Sequence, residues 1–505
     1  MRPFSLRVLR NGRGDTTIML SLPPIFLLLH IIVTLVLGAR IIHRRLHVST
    51  TLLWIILLAV SPIAGPVFYF FFGSHSLGRK RTKTGWAIRQ YYQRDFGIGK
   101  RRVPRDDLPV SDYLRDLSWM LSVQTGFFPC AGNWHKLYSE ARPLVDAIIR
   151  DVDAAHSSVY LEFYIVQPAG MIIELLEALE RAAGRGVDVR LMVDDFGGRP
   201  FFRSDWDDRL VAAGVDVVHS LSVNPIKAFS KRTDLRNHRK LIVIDQDIGY
   251  TGSFNLTDPE EFKKGEGFGQ WVDVMLRLEG HIVSSLSCLF NTDYIFDATG
   301  MDYTQEDLEE LADDGDDAPR FANGAAMQLV PSGPEMQRSV IHELIAASIF
   351  SAQTSVCVVT PYFVPDETIQ LALTSAARRG VRVRLIVPKR VDSLMARHAG
   401  EATFDELIKA GVEIYRFTAG MLHTKIVSID EELTLIGTAN VDMRSFYLNL
   451  EMTLAVYGSA FGEEIARLLE TYVDGSEWLD PVGWAERGRV LRWKEAVLRL
   501  ASPLL

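Results

Sequence analysis

The sequence has few cysteines, and their positions argue against the sites that depend on cysteine. Its 505 residues include three cysteines, Cys130, Cys288 and Cys357. They form no Cys-x-x-Cys pair, and three scattered thiols give no paired disulfide arrangement. The sequence therefore predicts neither a disulfide framework nor a zinc site.

An excess of basic residues is also missing. Lys and Arg total 55 against 63 Asp and Glu, which gives a formal net charge of -8. Proteins that bind a nucleic-acid backbone usually carry a basic excess, so nucleic acid is not the expected principal partner. The acidic run between the two halves of the chain lacks the spacing of an EF-hand calcium loop, and we interpret it as a linker.

Two long apolar runs lie near the amino terminus, at about residues 18–39 and 51–72. Each is long enough to cross a bilayer as a helix, although Pro62, Gly65 and Pro66 predict a kink in the second. A cleaved signal peptide is the alternative for the first run, and the second run favours a retained hairpin. The basic flanks then place both ends of this hairpin, and the rest of the chain, in the cytoplasm.

One motif occurs twice. His and Lys are two residues apart, Asp follows five residues later, and a Gly-(Ser/Thr)-x-Asn tetrad begins seven residues after Asp. The copies are His238, Lys240, Asp245, Gly252, Ser253, Asn255 and His423, Lys425, Asp430, Gly437, Thr438, Asn440. Two copies with identical offsets are not plausibly accidental.

Each motif runs into apolar sequence that predicts a short buried strand. Because side chains alternate along a strand, each His and its Lys are expected on one face. Asp245 and Asp430 belong to the candidate catalytic motif, but their odd offset points them away. We therefore expect these two carboxylates to support the fold rather than to carry protons.

Two imidazoles and two ammonium groups suit phosphodiester chemistry without a metal. One neutral His can attack phosphorus while a second, protonated His supplies the proton of the leaving oxygen. Ammonium, amide and hydroxyl groups can hold the phosphate. The predicted phosphate-binding residues are Lys240, Ser253, Asn255, Lys425, Thr438 and Asn440. Purely structural His and Lys residues are the alternative, which the duplication disfavours.

Two further carboxylates, Asp273 and Glu451, lie in matching apolar segments downstream of the motifs. A carboxylate in a buried strand is costly unless it is paired. It could orient a histidine or form a buried salt bridge with Arg or Lys. Its presence in both halves favours the orienting role.

The repeat extends beyond the motif. A predicted helix, strand, helix and strand over residues 142–193 recur over residues 340–387, which indicates an α/β fold with two mixed-sheet halves. The predicted segments are a membrane hairpin (1–75), a basic juxtamembrane linker (76–129), the first half (130–300), an acidic linker (301–320), the second half (321–480) and an amphipathic C-terminal helix (481–505). That last helix could lie in the membrane interface or pack on the body of the protein.

The duplicated motif resembles that of the phospholipase D superfamily. Six segments are similar to bacterial cardiolipin synthases, namely FYIVQPAG at 163–170, RNHRK at 236–240, TGSFNLTDP at 251–259, TPYFVPDE at 360–367, FDELIKAGVEIYRF at 404–417 and GTANVDMRSF at 437–446. The resemblance is collinear from the apolar runs to about residue 480. It implies a duplicated phospholipase D-type domain, whose halves share one active site, after a two-helix transmembrane hairpin.

The resemblance also implies a reaction. One phosphatidylglycerol is attacked at phosphorus, glycerol leaves, and a second phosphatidylglycerol displaces the enzyme to give cardiolipin. His238 would form a phosphohistidine and His423 would act as acid and then base, although the near-symmetric halves leave this order open. No cofactor or metal is expected, and the expected partner is a phospholipid of the bacterial inner membrane. Hydrolysis by a phospholipase D, a tethered nuclease and an inactive scaffold are the alternatives.

Overall fold

The computed structural model describes residues 5–10, 16–21, 24–44, 48–73, 79–95, 102–222, 235–298, 321, 323–334, 336 and 339–499. These residues form two units, one up to residue 73 and one from residue 79 onward. The predicted acidic linker at 301–320 lies outside the described residues.

The amino-terminal unit contains a β-hairpin, β1 (Ser5–Arg10) with β2 (Thr16–Ser21), and three helices. The helices are α1 (Pro24–His43), α2 (Val48–Val60) and α3 (Ala64–Phe72). Among the described residues, α1 is the one helix long and apolar enough to cross a membrane. It begins at Pro24 rather than near residue 18, because consecutive prolines lack the amide hydrogens needed to continue a helix toward its amino end.

The second apolar run does not form the single crossing helix that the sequence predicted. It is interrupted between α2 and α3, at Pro62, and the chain then turns back on itself. Trp54 packs edge-on against Tyr69 at 5.3 Å, and the Arg44 guanidinium donates to the carbonyl oxygen of Gly73 at 2.7 Å. At 1.5 Å per residue, α2 spans only about 20 Å, less than the hydrocarbon core of a bilayer.

The second unit begins with two helices and continues through the first α/β half. Its elements are α4 (Arg79–Asp95), α5 (Asp112–Thr125), β3 (Cys130–Tyr138), α6 (Ala141–Ala154), β4 (Ser158–Phe163), α7 (Met171–Gly184), β5 (Asp188–Asp194), α8 (Arg199–Phe202), α9 (Trp206–Ala212), β6 (Asp216–Ser220), β7 (Lys240–Ile244), β8 (Ile248–Gly252), β9 (Trp271–Val272), β10 (Met275–Glu279) and α10 (Ile282–Ala298).

The second half repeats this order. Its elements are β11 (Ala325–Ser332), α11 (Val340–Ser351), β12 (Ser355–Val359), α12 (Glu367–Arg378), β13 (Arg382–Pro388), α13 (Leu394–Ala410), β14 (Glu413–Phe417), β15 (Met421–Leu422), β16 (Ile426–Ile429), β17 (Leu433–Gly437), α14 (Met443–Tyr447), β18 (Glu451–Tyr457), α15 (Ser459–Asp474), β19 (Ser476–Trp478), α16 (Pro481–Ala485) and α17 (Arg489–Arg499).

One fifteen-stranded sheet runs through both halves. Its centre is the antiparallel pair β3 and β11, where Ala325 lies opposite Asn133. Outward from the centre, the order β10-β8-β7-β4-β5-β6 in the first half matches β18-β17-β16-β12-β13-β14 in the second. The predicted duplicated α/β fold is confirmed.

Within the predicted basic juxtamembrane linker (76–129), residues 79–95 and 112–125 form helices that pack within the second unit. Helix α4 packs on α10, and its buried Arg81 pairs with Asp297 at 2.9 Å. Helix α5 places Leu114, Leu117 and Leu121 in the core of the second half. Their spacing of three and four residues is that of an apolar helix face, which the surrounding charged residues had obscured.

The C-terminal segment forms two helices that pack on the body of the protein. This is one of the two alternatives that the sequence left open. Helix α17 lies against α13, and Arg487 joins Asp405 and Glu495 at 2.9 and 2.8 Å. Val490 and Trp493 stay 82% and 70% exposed, so the opposite face of α17 is apolar and uncovered among the described residues.

Candidate active site

The two histidines lie at the entrances to the buried strands β7 and β16, and each is attached to the other half of the body. The His238 amide donates to the carbonyl oxygen of Leu450 at 2.9 Å, and the His423 amide donates to that of Val272 at 2.8 Å. Strands β9 and β15 pair in parallel at the second of these places. The duplicated motifs therefore meet through reciprocal backbone bonds.

Each imidazole is hydrogen-bonded to a carboxylate from the opposite half. Nδ1 of His238 lies 2.9 Å from Oε2 of Glu451, and Nδ1 of His423 lies 2.7 Å from Oδ1 of Asp273. Both carboxylates are buried. Such a bond fixes the ring and its tautomer, and it leaves Nε2 as the atom that can react.

The two lysines lie beside the histidines, as their shared strand face predicted. Nζ of Lys240 donates to the carbonyl oxygen of His238 at 2.7 Å, and Nζ of Lys425 donates to that of His423 at 2.5 Å. Both lysines are almost completely buried. Burial lowers the pKa of Lys240 to about 8 and that of Lys425 to about 7, because a buried ammonium loses hydration.

Burial also lowers the pKa of His238 and that of His423 to about 4, although the bonded carboxylates oppose the shift. The lysine charges add to it. Burial alone would raise the pKa of Asp273 and Glu451, but the attraction of the histidines and lysines lowers it overall. Near neutral pH, this site holds two neutral imidazoles and two ionised carboxylates.

The hydroxyls of Ser253 and Thr438 form hydrogen bonds within the protein. Oγ1 of Thr438 donates to Oε2 of Glu451 at 2.5 Å and accepts from the Met452 amide at 2.9 Å. Oγ of Ser253 donates to the carbonyl oxygen of Val274 at 3.3 Å and accepts from its amide at 3.0 Å. Both hydroxyls hold backbone next to the carboxylates Asp273 and Glu451, and their role in binding phosphate stays a prediction.

Asn255 and Asn440 are buried, and the side-chain oxygens of both lack a hydrogen-bond partner among the described residues. Buried amide groups are normally satisfied, so these two mark places where a ligand group could bind. Their role in holding phosphate stays a prediction.

Asp245 and Asp430 lie at the far ends of strands β7 and β16, away from the histidines. Asp245 accepts hydrogen bonds at 2.8 Å from the amides of residues 156, 157 and 158. Asp430 does the same for the amides of residues 353, 354 and 355. These carboxylates hold the strand ends against the turns that lead into β4 and β12. Their position away from the histidines agrees with the alternation along the strand.

Sequence reasoning missed the aromatic side chains at both imidazoles. The ring of Tyr164 lies 5.1 Å from His238, and the ring of Trp271 lies 4.2 Å from His423. Trp271 stands two residues before Asp273, so the apolar segment around that carboxylate was the available signal.

A separate group of possible metal ligands lies on α13 and α17. In the part of the chain that the structure describes, the group close enough to hold a metal is His398, Glu401 and Glu495. Arg397 pairs with Glu401, and Arg487 pairs with Glu495. These arginines already neutralise the carboxylates, and neither motif histidine belongs to the group.

Comparison with known proteins shows the family. The family described as cardiolipin synthase, PLD-like domain, matches residues 148–266 and 345–474. Cardiolipin synthase A of Klebsiella pneumoniae (strain 342) is 36% identical over 470 residues, which cover 92% of this chain and 95% of that protein. The chain belongs to the cardiolipin synthase family. The Erwinia tasmaniensis member is 36% identical over 469 residues, with the same coverage.

A solved structure supports the fold. Phosphatidylserine synthase from Haemophilus influenzae Rd KW20 aligns with a TM-score of 0.55 and 14% identity, over 74% of this chain and 95% of that one. The resemblance to the phospholipase D superfamily is therefore confirmed at the level of the fold and the family.

The lowered pKa of Lys425 predicts a pH dependence. In the free enzyme, kcat/KM should fall as pH rises through about 7, because Lys425 loses its charge. Lys425→Arg should move this fall to higher pH, since a guanidinium stays protonated. The pH profile of kcat/KM for each protein measures where the fall occurs. Lys264→Arg, at an exposed position, is the control. An unchanged profile in Lys425→Arg would assign the fall to another group.

Proposed function

We propose that this protein transfers a phosphatidyl group from one phosphatidylglycerol to the hydroxyl of another, giving cardiolipin and glycerol. The observation that carries the proposal is the pair of buried imidazoles, each bonded at Nδ1 to a carboxylate of the opposite half. This arrangement would offer the Nε2 atoms of His238 and His423 and the amino groups of Lys240 and Lys425 to one phosphate. The relatives are named for the product, cardiolipin, and phosphatidylglycerol is the substrate that the sequence resemblance implies.

In the first step, Nε2 of His238 attacks phosphorus and the bond to the glycerol oxygen breaks. His423 donates a proton to that oxygen, and glycerol leaves. In the second step, His423 takes the proton of an incoming phosphatidylglycerol hydroxyl, whose oxygen displaces His238. The larger exposed fraction of the His238 side chain, 11% against 3% for His423, supports this order.

The low pKa of both histidines is expected of a site that binds an anionic ligand. A phosphodiester brings one negative charge beside the rings, and an opposite charge at short range favours the protonated imidazole. Binding of the lipid would therefore bring a proton to one of the two rings, the acid of the first step. Lys240 and Lys425 would hold the remaining charge on the phosphate oxygens.

The products decide the proposal. Purified protein in vesicles of phosphatidylglycerol labelled in its terminal glycerol should release labelled glycerol and form cardiolipin. His238→Ala should lower this release at least about a hundredfold, because it removes the nucleophile. His156→Ala, at an exposed imidazole outside the site, is the control. Phosphatidic acid as the main product would contradict the transfer and indicate hydrolysis.

We further propose that α1 crosses the membrane and that the catalytic body faces the cytoplasm. The relatives support membrane association, and the turn-back of the second apolar run brings Gly73 to the same end of α1 as Arg44. Arg40 lies in the last turn of α1, and basic residues at 44, 45, 79, 80, 81 and 83 follow it. The positive-inside rule places such residues in the cytoplasm. The amino terminus would then lie on the outer side, unlike in a two-helix hairpin.

Labelling with a membrane-impermeant maleimide tests this orientation. In spheroplasts, a cysteine in place of Gly12 should react from outside, whereas Lys83→Cys should react only after lysis. The three native cysteines are buried and give a low background. Reaction of Lys83→Cys in intact spheroplasts would contradict the cytoplasmic body.

A further inference from the structure

A segment of the first half, residues 258–270, extends over the histidine of the second half. It lies between β8 and β9 and is followed by Trp271, the first residue of β9, whose ring contacts His423. The Arg390 guanidinium donates to the carbonyl oxygen of Gly267 at 2.9 Å, and the Met421 amide donates to that of Gln270 at 2.9 Å. We call this segment the covering loop.

An ion pair between Lys263 and Asp392 joins the covering loop to the second half. Nζ of Lys263 lies 2.6 Å from Oδ2 of Asp392, and Asp392 also accepts a hydrogen bond from the Tyr362 hydroxyl. Burial by itself would raise the pKa of Asp392, but the bonds from Lys263 and Tyr362 lower it. The carboxylate therefore stays ionised and keeps its partner.

The same ammonium holds a cluster of aromatic rings. It lies 5.5 Å from the ring centres of Phe262 and Trp271 and 5.9 Å from that of Phe268, within the range of cation–π attraction. Phe262 and Trp271 contact each other edge-on at 4.8 Å, and Met421 completes the cluster from the second half.

The cluster covers one side of the reaction centre. The His423 side chain is only 3% exposed, and Trp271 is the aromatic ring against it. His423 is the base of the proposed second step. A water molecule that reached it would compete with the lipid hydroxyl for the phosphoenzyme.

We propose that Lys263 and Asp392 are positioning residues that hold the covering loop and Trp271 over His423, and that they thereby favour a lipid hydroxyl over water as the acceptor. This inference rests on the proposed function. In either outcome the bond from phosphorus to Nε2 of His238 breaks, a new bond from phosphorus to oxygen forms, and His423 takes the proton of the attacking hydroxyl. Water gives phosphatidic acid, and phosphatidylglycerol gives cardiolipin.

The ratio of the two products tests the role of the pair. In full-length protein reconstituted with phosphatidylglycerol, Lys263→Met and Asp392→Asn should each raise the ratio of phosphatidic acid to cardiolipin about tenfold, as loss of a partly desolvated cation contact allows. Lys263→Arg, which keeps a cation beside both the Asp392 carboxylate and the aromatic rings, should keep the ratio near that of the unchanged protein.

Lys264→Met is the matched control. Lys264 neighbours Lys263 in the chain, but its ammonium is exposed and pairs with Glu261 at 2.9 Å within the same loop. This variant should keep the product ratio. If Lys263→Met lowers the total rate and leaves the ratio unchanged, the pair serves folding and the inference is wrong. Phosphatidic acid alone from the unchanged protein would instead overturn the proposed function.

Discussion

The hydrogen bonds from His238 to Glu451 and from His423 to Asp273 cross between the halves of the body, and the site depends on this exchange. A half by itself would hold a buried carboxylate without its imidazole and an imidazole without its carboxylate. Either group is costly to bury alone. The reciprocal backbone bonds at Leu450 and Val272 place the partners within reach. Duplication therefore produces one centre rather than two.

Burial sets the charge state of this centre. Two lysines and two histidines lie close to two carboxylates, and all six side chains are nearly out of contact with water. Without a ligand, burial holds the histidines neutral and brings the lysines close to losing their charge. In the proposed reaction, an anionic phosphate would add negative charge beside these groups. The energy of its binding is thereby coupled to the protonation that the chemistry requires.

The sequence predicted those elements whose apolar residues or motif residues recur at the spacing of a helix or a strand. Helices α11 and α12, the strand face shared by each His and Lys, and the outward Asp residues all follow from periodicity. The pairing of each carboxylate with the opposite half could not be predicted, because equivalent positions in a repeat are indistinguishable before the halves are packed. The engaged hydroxyl of Thr438, the reversal after Pro62 and the contact of Trp271 with His423 likewise depend on tertiary packing.

The titration of the two histidines, followed by NMR on protein with labelled imidazoles, is the most direct test that each histidine bonds to the carboxylate of the other half. The account predicts that Glu451→Gln changes the pKa of His238 and leaves His423 nearly unchanged, whereas Asp273→Asn changes His423 and leaves His238 nearly unchanged. The low starting values give a clear reference, since both lie near pH 4. A shift of His238 in Asp273→Asn, with none in Glu451→Gln, would contradict the crossed arrangement.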